Sequence, residues 1–236
     1  MKEHIKTAIL DSFVDRERAA EVQIERGIVD AGLRSQVTSG KHLDKLVGAI
    51  VGDLSDLGFD RDDISVGNRK TELPGWFRAT KRWDILGFSD SKLATAIELK
   101  SIYGSYGNNL NNRAEEAIGD IIDVRYAVAA KLIDCSSPVF AYVLIVKKDV
   151  QSSGLCRDPN EPHFNADRAF RGNSYIDRFA TLCRRLREDG LYDAVWFVVA
   201  DPVANSVEEP DSDLNYEMFI ARIGESIRRL PADRAV

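Results

Sequence analysis

The sequence predicts an α/β fold, a central mixed β-sheet flanked by helices, and three observations predict it. Apolar residues recur at helical spacing through the first sixty positions. From Ile64 the pattern changes to short strand-like segments, two of them joined by the turn Ser89-Asp90-Ser91-Lys92. Beyond Asn112, helical stripes alternate with continuous apolar runs, the order expected when helices cover both faces of a sheet.

The elements follow in chain order. Ile5, Ile9, Phe13, Val22 and Ile24 stand among charges and predict a helix over the first 26 residues, ended by Gly27. Gly32 to Gly40 is a Gly/Ser/Thr-bearing loop. A second helix runs from Lys41 to Leu57, with Leu43, Leu46, Val47, Ile50 and Leu54 on one face and Gly58 closing it. Trp83–Phe88 and Leu93–Leu99 read as a β-hairpin. A Gly- and Asn-rich loop, Tyr103 to Asn112, leads to a helix with Asn112 as N-cap and Glu115 three residues on. Its buried stripe is Ala114, Ala117, Ile118, Ile121 and Ile122, continuing to Leu132.

Val139 to Val146 is apolar throughout, as a strand covered on both faces should be. Arg157 to Gly172 is an irregular polar insertion. Ser174 caps a helix bearing Tyr175, Ile176, Phe179, Leu182, Cys183 and Leu186 at helical spacing, and Gly190 ends it. Ala194 to Ala200 is a further strand, and Asn215 to Leu230 a last helix. We expect one domain over 1–236: a helical part at 1–60, the core that carries the chemistry at 64–200, and a closing helix at 215–230.

Composition narrows the class. The net charge of −6 argues against a chain that coats nucleic acid. Locally the balance reverses: between Val66 and Arg113 stand eight basic residues (Arg69, Lys70, Arg78, Lys81, Arg82, Lys92, Lys100, Arg113). Only four acids oppose them (Glu72, Asp84, Asp90, Glu98), which leaves a surplus of four positive charges. Three cysteines without metal-ligand spacing fit a reducing, cytoplasmic compartment, with Cys183 a small core residue. The opening Met-Lys-Glu-His has no apolar signal-peptide core. The eight-residue run Val139–Val146 falls short of the ~20 residues that a membrane helix needs.

The chemistry concentrates in Trp83-Asp84-Ile85-Leu86-Gly87-Phe88 and Ala96-Ile97-Glu98-Leu99-Lys100. Side chains alternate along a strand, so Glu98 and Lys100 share one face while Ile97 and Leu99 anchor the core. Hairpin pairing can bring Asp84 beside Glu98. Two carboxylates meeting in a partly apolar setting repel, and a hard divalent ion such as Mg²⁺, with Mn²⁺ as substitute, relieves that repulsion. Asp84, Glu98 and the Leu99 backbone carbonyl are the expected ligands. Such a site suits phosphodiester hydrolysis, with Lys100 contacting the scissile phosphate and positioning or deprotonating the water, its pKa depressed by a neighbouring cation. An Asp followed by Glu-x-Lys is common by chance. The apolar strands, the short turn and the helix N-terminus beyond, which favours phosphate, make the combination more specific.

The segment from Leu73 to Asp123 resembles the XhoI-like type II restriction endonucleases, members of the PD-(D/E)XK nuclease superfamily. The residues that carry the resemblance are Leu73-Pro74-Gly75-Trp76-Phe77-Arg78, Lys81-Arg82-Trp83-Asp84 and Ile97-Glu98-Leu99-Lys100-Ser101. To these is added the run from Gly107 through Asn108, Asn109, Asn111, Asn112 and Arg113 to Gly119. Weaker likeness extends to Val29-Asp30-Ala31-Gly32 and to Ser174-Tyr175 and Tyr192-Asp193-Ala194. The superfamily's catalytic Asp, Glu and Lys fall on Asp84, Glu98 and Lys100; Trp83 stands where its name has proline. The resemblance implies a restriction-endonuclease-like core and double-strand DNA cleavage at a short palindrome. It implies a homodimer with one active site per strand; whether a cognate DNA methyltransferase exists as a separate protein is left open. Enzymes of this group cut CTCGAG, but base-reading residues can change while the core stays, so the bases read by this chain are left open.

Around this centre stand further candidates, each with a bland alternative. Asn108, Asn109, Asn111, Asn112 and Arg113 can read bases or hold phosphates, or the asparagines can simply supply turn geometry. Of Glu115 and Glu116, one serves the helix N-terminus, and Glu116 is the candidate for orienting Lys100 or the attacking water. Lys41, His42, Arg78, Lys81 and Arg82 are candidate DNA contacts or solvated surface. Two other functions compete: a structure-specific DNA repair or recombination nuclease of the same fold, and a non-catalytic DNA-binding module, which has no use for paired carboxylates.

Overall fold

The computed structural model describes residues 1–25, 41–161 and 163–228. A six-stranded sheet of order β1-β4-β5-β6-β7-β8 forms the middle layer. Its strands are β1 (Ile64–Val66), β4 (Ile85–Ser89), β5 (Lys92–Ile102), β6 (Cys135–Lys147), β7 (Ala194–Asp201) and β8 (Ser206–Glu208). The β5–β6 and β6–β7 pairs are parallel and the other pairs antiparallel, so the sheet is mixed as expected. A separate two-stranded ribbon, β2 (Glu72–Pro74) and β3 (Thr80–Arg82), precedes β4.

Helices cover both faces. On one lie α1 (Glu3–Glu25), α2 (Asp44–Asp56) and α6 (Tyr216–Arg228), whose Ile5, Ile9, Phe13, Leu46, Ile50, Phe219 and Ile223 pack on Ile97, Leu99, Val143 and Trp196. On the other lie α3 (Tyr106–Ala129) and α5 (Tyr175–Glu188), whose Tyr106, Ile121, Val124, Phe179 and Cys183 pack on Ala96, Tyr142, Leu144 and Phe197. A single turn, α4 (Val150–Ser153), follows β6. Strands β6 and β7 are buried on both faces, which is why their sequences are unbroken apolar runs. Cys183 is a fully buried core residue.

Local signals explain most of the boundaries. Asp90 and Ser91 both adopt positive φ, the geometry of a two-residue hairpin turn, so β5 follows β4 directly. Gly58 closes the α2 region with φ of 109°. Ser174 and Asp177 form a reciprocal capping box at α5, an arrangement that stabilises a helix start by about 1 kcal/mol.

The structure corrects three expectations. Tyr103–Asn112 is not a loop to its end, and Asn112 is not an N-cap: α3 begins at Tyr106 and takes in all four asparagines. Asparagine is a poor helix former, but buried Tyr106 anchors the first turn, donating to Asp149 Oδ2 at 2.6 Å and stacking on Tyr175. The buried stripe fails at Ile118, which is 44% exposed, and α3 ends at Ala129 before Leu132, which is also exposed. The antiparallel edge strands β1 and β8 of the mixed sheet are too short to give a periodic signal. Gly27, Val29-Asp30-Ala31-Gly32, the loop Gly32–Gly40 and Leu230 lie outside the described residues. Among those described, no helix is long and apolar enough to cross a membrane.

Candidate active site

Asp84 immediately precedes β4. Its N–H donates to the Ile97 carbonyl at 3.2 Å, and its Oδ2 accepts the Leu99 N–H at 2.7 Å. Ile85 pairs with Ile97 across the hairpin, so Asp84 falls opposite Glu98. A strand residue directs its N–H and C=O to the same side, so the Leu99 carbonyl also faces the edge at which Asp84 sits. The alternation expected of β5 holds: Ile97 and Leu99 enter the core beneath α1, α2 and α6, while Glu98 turns toward the α3 layer.

Glu98 is 3% exposed and takes two ammonium groups. Lys100 reaches its Oε1, and Lys81 its Oε2 at 3.0 Å. Burial, followed by the negative charge of Glu98, pushes the Asp84 carboxyl up to about 6, against weaker opposing pulls from the Leu99 N–H, Lys100 and Lys81. Burial acts to lower the Lys100 ammonium, but Glu98 and Asp84 outweigh it, so Lys100 is held above its ordinary value. The neighbouring cation Arg113 lowers Lys100, yet by less than the carboxylates raise it.

Asp84, Glu98 and Lys100 thus converge. The donor set suits a hard cation: buried carboxylate oxygens whose mutual repulsion already shifts one of them, at a point where two ammonium groups also gather. Only two carboxylates contribute, and among the described residues no group of three or more His, Cys, Asp or Glu side chains forms a cage, so further ligands would come from backbone, water or phosphate oxygens.

The remaining candidates separate. Lys81 is no free DNA contact: its side chain is buried between Glu98 and Asp120, 2.9 Å from Asp120 Oδ2, and over the Trp83 ring at 5.0 Å. Arg78 is also engaged, bonding Asp120 Oδ1 and Asp123 Oδ2 at 2.9 Å each. Exposed Arg82 pairs with Glu72 at 3.1 Å. His42 is half-buried rather than at the surface. It lies 2.8 Å from the Ser101 hydroxyl and edge-on to Tyr103, with its imidazole driven down to about 4 by burial and then by Arg16. The Lys41 side chain lies outside the described part. Asn109 donates to the Gly104 carbonyl at 2.7 Å, tying α3 to the preceding turn. Asn108, Asn111 and Asn112, with Glu115, line one exposed face of the first turns. Arg113 bonds Glu116 at 2.8 Å, so Glu116 faces Arg113 and is not the carboxylate that meets Lys81.

That carboxylate is Asp120, buried on α3, which sequence reasoning missed. Asp123, one turn on, accepts the Trp76 and Phe77 N–H groups at 2.8 and 2.6 Å, so it pins the ribbon loop that places Lys81. Two acids on the otherwise apolar inner stripe of α3, close to Ala117, Ile121 and Val124, were the available signal.

Comparison with known proteins gives one family. A model of restriction endonuclease XhoI matches residues 22–209. The type II restriction enzyme XhoI of Xanthomonas vasicola is 38% identical over 173 residues, covering 72% of this chain and 69% of that protein. BstVI of Geobacillus stearothermophilus, also a type II restriction enzyme, is 33% identical over 201 residues (81% and 89% of the two chains). AbrI of Azospirillum brasilense, a third, is 33% identical over 169 residues (71% and 76%). No solved structure matches.

Proposed function

The chain belongs to the XhoI family of type II restriction endonucleases, and from that premise we propose that it makes Mg²⁺-dependent double-strand breaks in DNA at a short palindromic sequence, by phosphodiester hydrolysis at Asp84, Glu98 and Lys100. The observation that carries the proposal is the meeting of the buried Asp84 and Glu98 carboxylates with the Lys100 ammonium beside the β4–β5 hairpin.

Asp84, Glu98 and the Leu99 carbonyl would hold Mg²⁺, or Mn²⁺ in its place. The ion supplies charge compensation for the phosphate and acidifies the attacking water. Lys100, which bonds Glu98, donates to a non-bridging phosphate oxygen and fixes the line of attack. Asp84 must be ionised to act as a ligand, so the proton favoured by its burial leaves before catalysis. Arg113, whose charge is felt at Lys100, adds positive potential on the side from which a phosphate approaches. The exposed Asn108, Asn111 and Asn112 face at the start of α3 is the surface we assign to DNA, since helix N-termini favour phosphate.

We further propose a homodimer as the working form, because one site per subunit cuts each strand of a two-fold target. A separate DNA methyltransferase, a cytoplasmic location and a single folded domain over 1–236 complete the proposal. Plasmid digestion with Mg²⁺ against EDTA, followed by end sequencing, tests it. Discrete Mg²⁺-dependent fragments with a common end sequence are expected. Smearing would indicate a structure-directed nuclease instead, and an intact plasmid would refute hydrolysis.

A further inference from the structure

Glu98 belongs to a longer file of alternating charges: Lys100, Glu98, Lys81, Asp120, Arg78, Asp123. Each Glu98 oxygen accepts an ammonium group, so a cation that binds Glu98 competes with Lys100 and Lys81 for it. The two lysines are not equivalent. Lys100 bonds Glu98, and its other carboxylate neighbour is Asp84, itself an expected ligand. Lys81 has an alternative outside the cation site: it already lies 2.9 Å from Asp120, whose second oxygen is fixed by Arg78. Letting go of Glu98 therefore leaves no unpaired buried ammonium, which would otherwise cost several kcal/mol.

We propose that Lys81 and Asp120 form a positioning pair that governs divalent-cation capture. In the metal-free protein Lys81 bridges Glu98 and Asp120, and it is retained by Asp120 alone once a cation takes the Glu98 oxygen that it covers. This rests on the nuclease assignment of Asp84 and Glu98. Neither Lys81 nor Asp120 is a ligand: Lys81 competes for Glu98, and Asp120 draws that competitor off. The pair also ties cation capture to the ribbon β2–β3, because Lys81 lies on β3 and Asp123 fixes the ribbon's loop.

The two residues should then have opposite effects on affinity, which no merely structural role produces. Mn²⁺ binding to the full chain without DNA, followed by the electron paramagnetic resonance of free Mn²⁺, reads this directly. Asp120→Asn should weaken binding by about 10- to 100-fold, because Lys81 then holds Glu98 without a rival. Lys81→Met should bind Mn²⁺ more tightly than the parent chain, and the double variant should match Lys81→Met. Equal weakening by both single variants, or no change in either, overturns the proposal. If Asp120→Asn does not fold, Lys81→Met decides alone, since unchanged or weaker binding there is equally fatal. Failure of the underlying assignment looks different: the parent chain would bind no Mn²⁺, or Glu98→Gln would bind it undiminished.

Discussion

The Leu99 N–H donates to Asp84 Oδ2 at 2.7 Å, so one carboxylate oxygen of Asp84 is committed to the backbone of the strand that carries Glu98 and Lys100. The bond fixes Asp84 at the hairpin edge and engages one of its two oxygens, the other being the one we propose for a cation. Asp84→Asn can keep the bond through its amide oxygen while removing the charge. We expect it to fold with an unchanged circular dichroism spectrum and to lose cleavage to below about 1% of the parent rate. Appreciable cleavage by Asp84→Asn would place the cation ligands elsewhere.

The same residue makes metal-free stability depend on pH. Its folded pKa of about 6 lies above the ordinary carboxylate value, so the folded state binds the proton more tightly than the unfolded chain. The stabilisation is fully present below about pH 4, the unfolded pKa, and is lost as pH rises through about 6. Asp84→Asn should remove this dependence. In urea melts with EDTA the variant should gain about 2–3 kcal/mol on the parent between pH 4 and pH 7. Parallel stability curves for the two proteins would contradict a raised Asp84.

Glu98 leads to a different expectation. From sequence alone, Glu98→Ala looks like a change that ends cleavage and spares the fold. In the structure Glu98 is buried and answers two ammonium groups, so truncation strands positive charge. Lys81 can fall back on Asp120, but Lys100 loses its direct partner. We expect Glu98→Ala to cost about 3 kcal/mol as well as activity, with Lys100→Ala far milder in stability. Chemical denaturation of the pair of variants checks the ranking, and equal stability would refute it.

Lys100→Ala isolates the chemical step. Its ammonium bonds Glu98, whereas the face we assign to DNA is that of Asn108, Asn111 and Asn112 on α3. Single-turnover cleavage should slow by about 10²–10⁴-fold, while DNA affinity in Ca²⁺ changes little. A large loss of affinity with an unchanged rate constant would make Lys100 a binding residue.

How much of this was legible in the sequence depends on range. Period-two alternation through Ile97-Glu98-Leu99-Lys100 and the turn before it were enough to put Glu98 and Lys100 on one face and Asp84 opposite, because hairpin pairing is local. Continuous apolar runs marked β6 and β7 for the same reason. What stayed hidden was set by distant partners. The asparagine run is helical because Tyr106 reaches Asp149, 43 positions away. Lys81 and Arg78 look like free surface cations until Asp120, 42 positions beyond Arg78, and Asp123, on another element, prove to be their counter-ions. Charge counting registered the local surplus but not its neutralisation, since those two acids fall just past the counted window.

The loop that joins β2 to β3 supplies the last expectation. Gly75 lies where Asp123 closes on the ribbon: a Cβ there would stand 2.5 Å from Asp123 Oδ2 and 2.7 Å from the Arg78 carbonyl. Neither can yield easily, because Asp123 holds the Trp76 and Phe77 N–H groups together with Arg78 Nε. Gly75→Ala should therefore destabilise by about 1–3 kcal/mol, as overpacking does. Loosening this loop should also disturb Lys81 on β3, the competitor for Glu98, so the variant's Mn²⁺ affinity should shift toward that of Lys81→Met. Gly104→Ala, where an added Cβ meets nothing, is the control and should melt like the parent. If Gly75→Ala melts like that control and binds Mn²⁺ unchanged, the ribbon does not position the site.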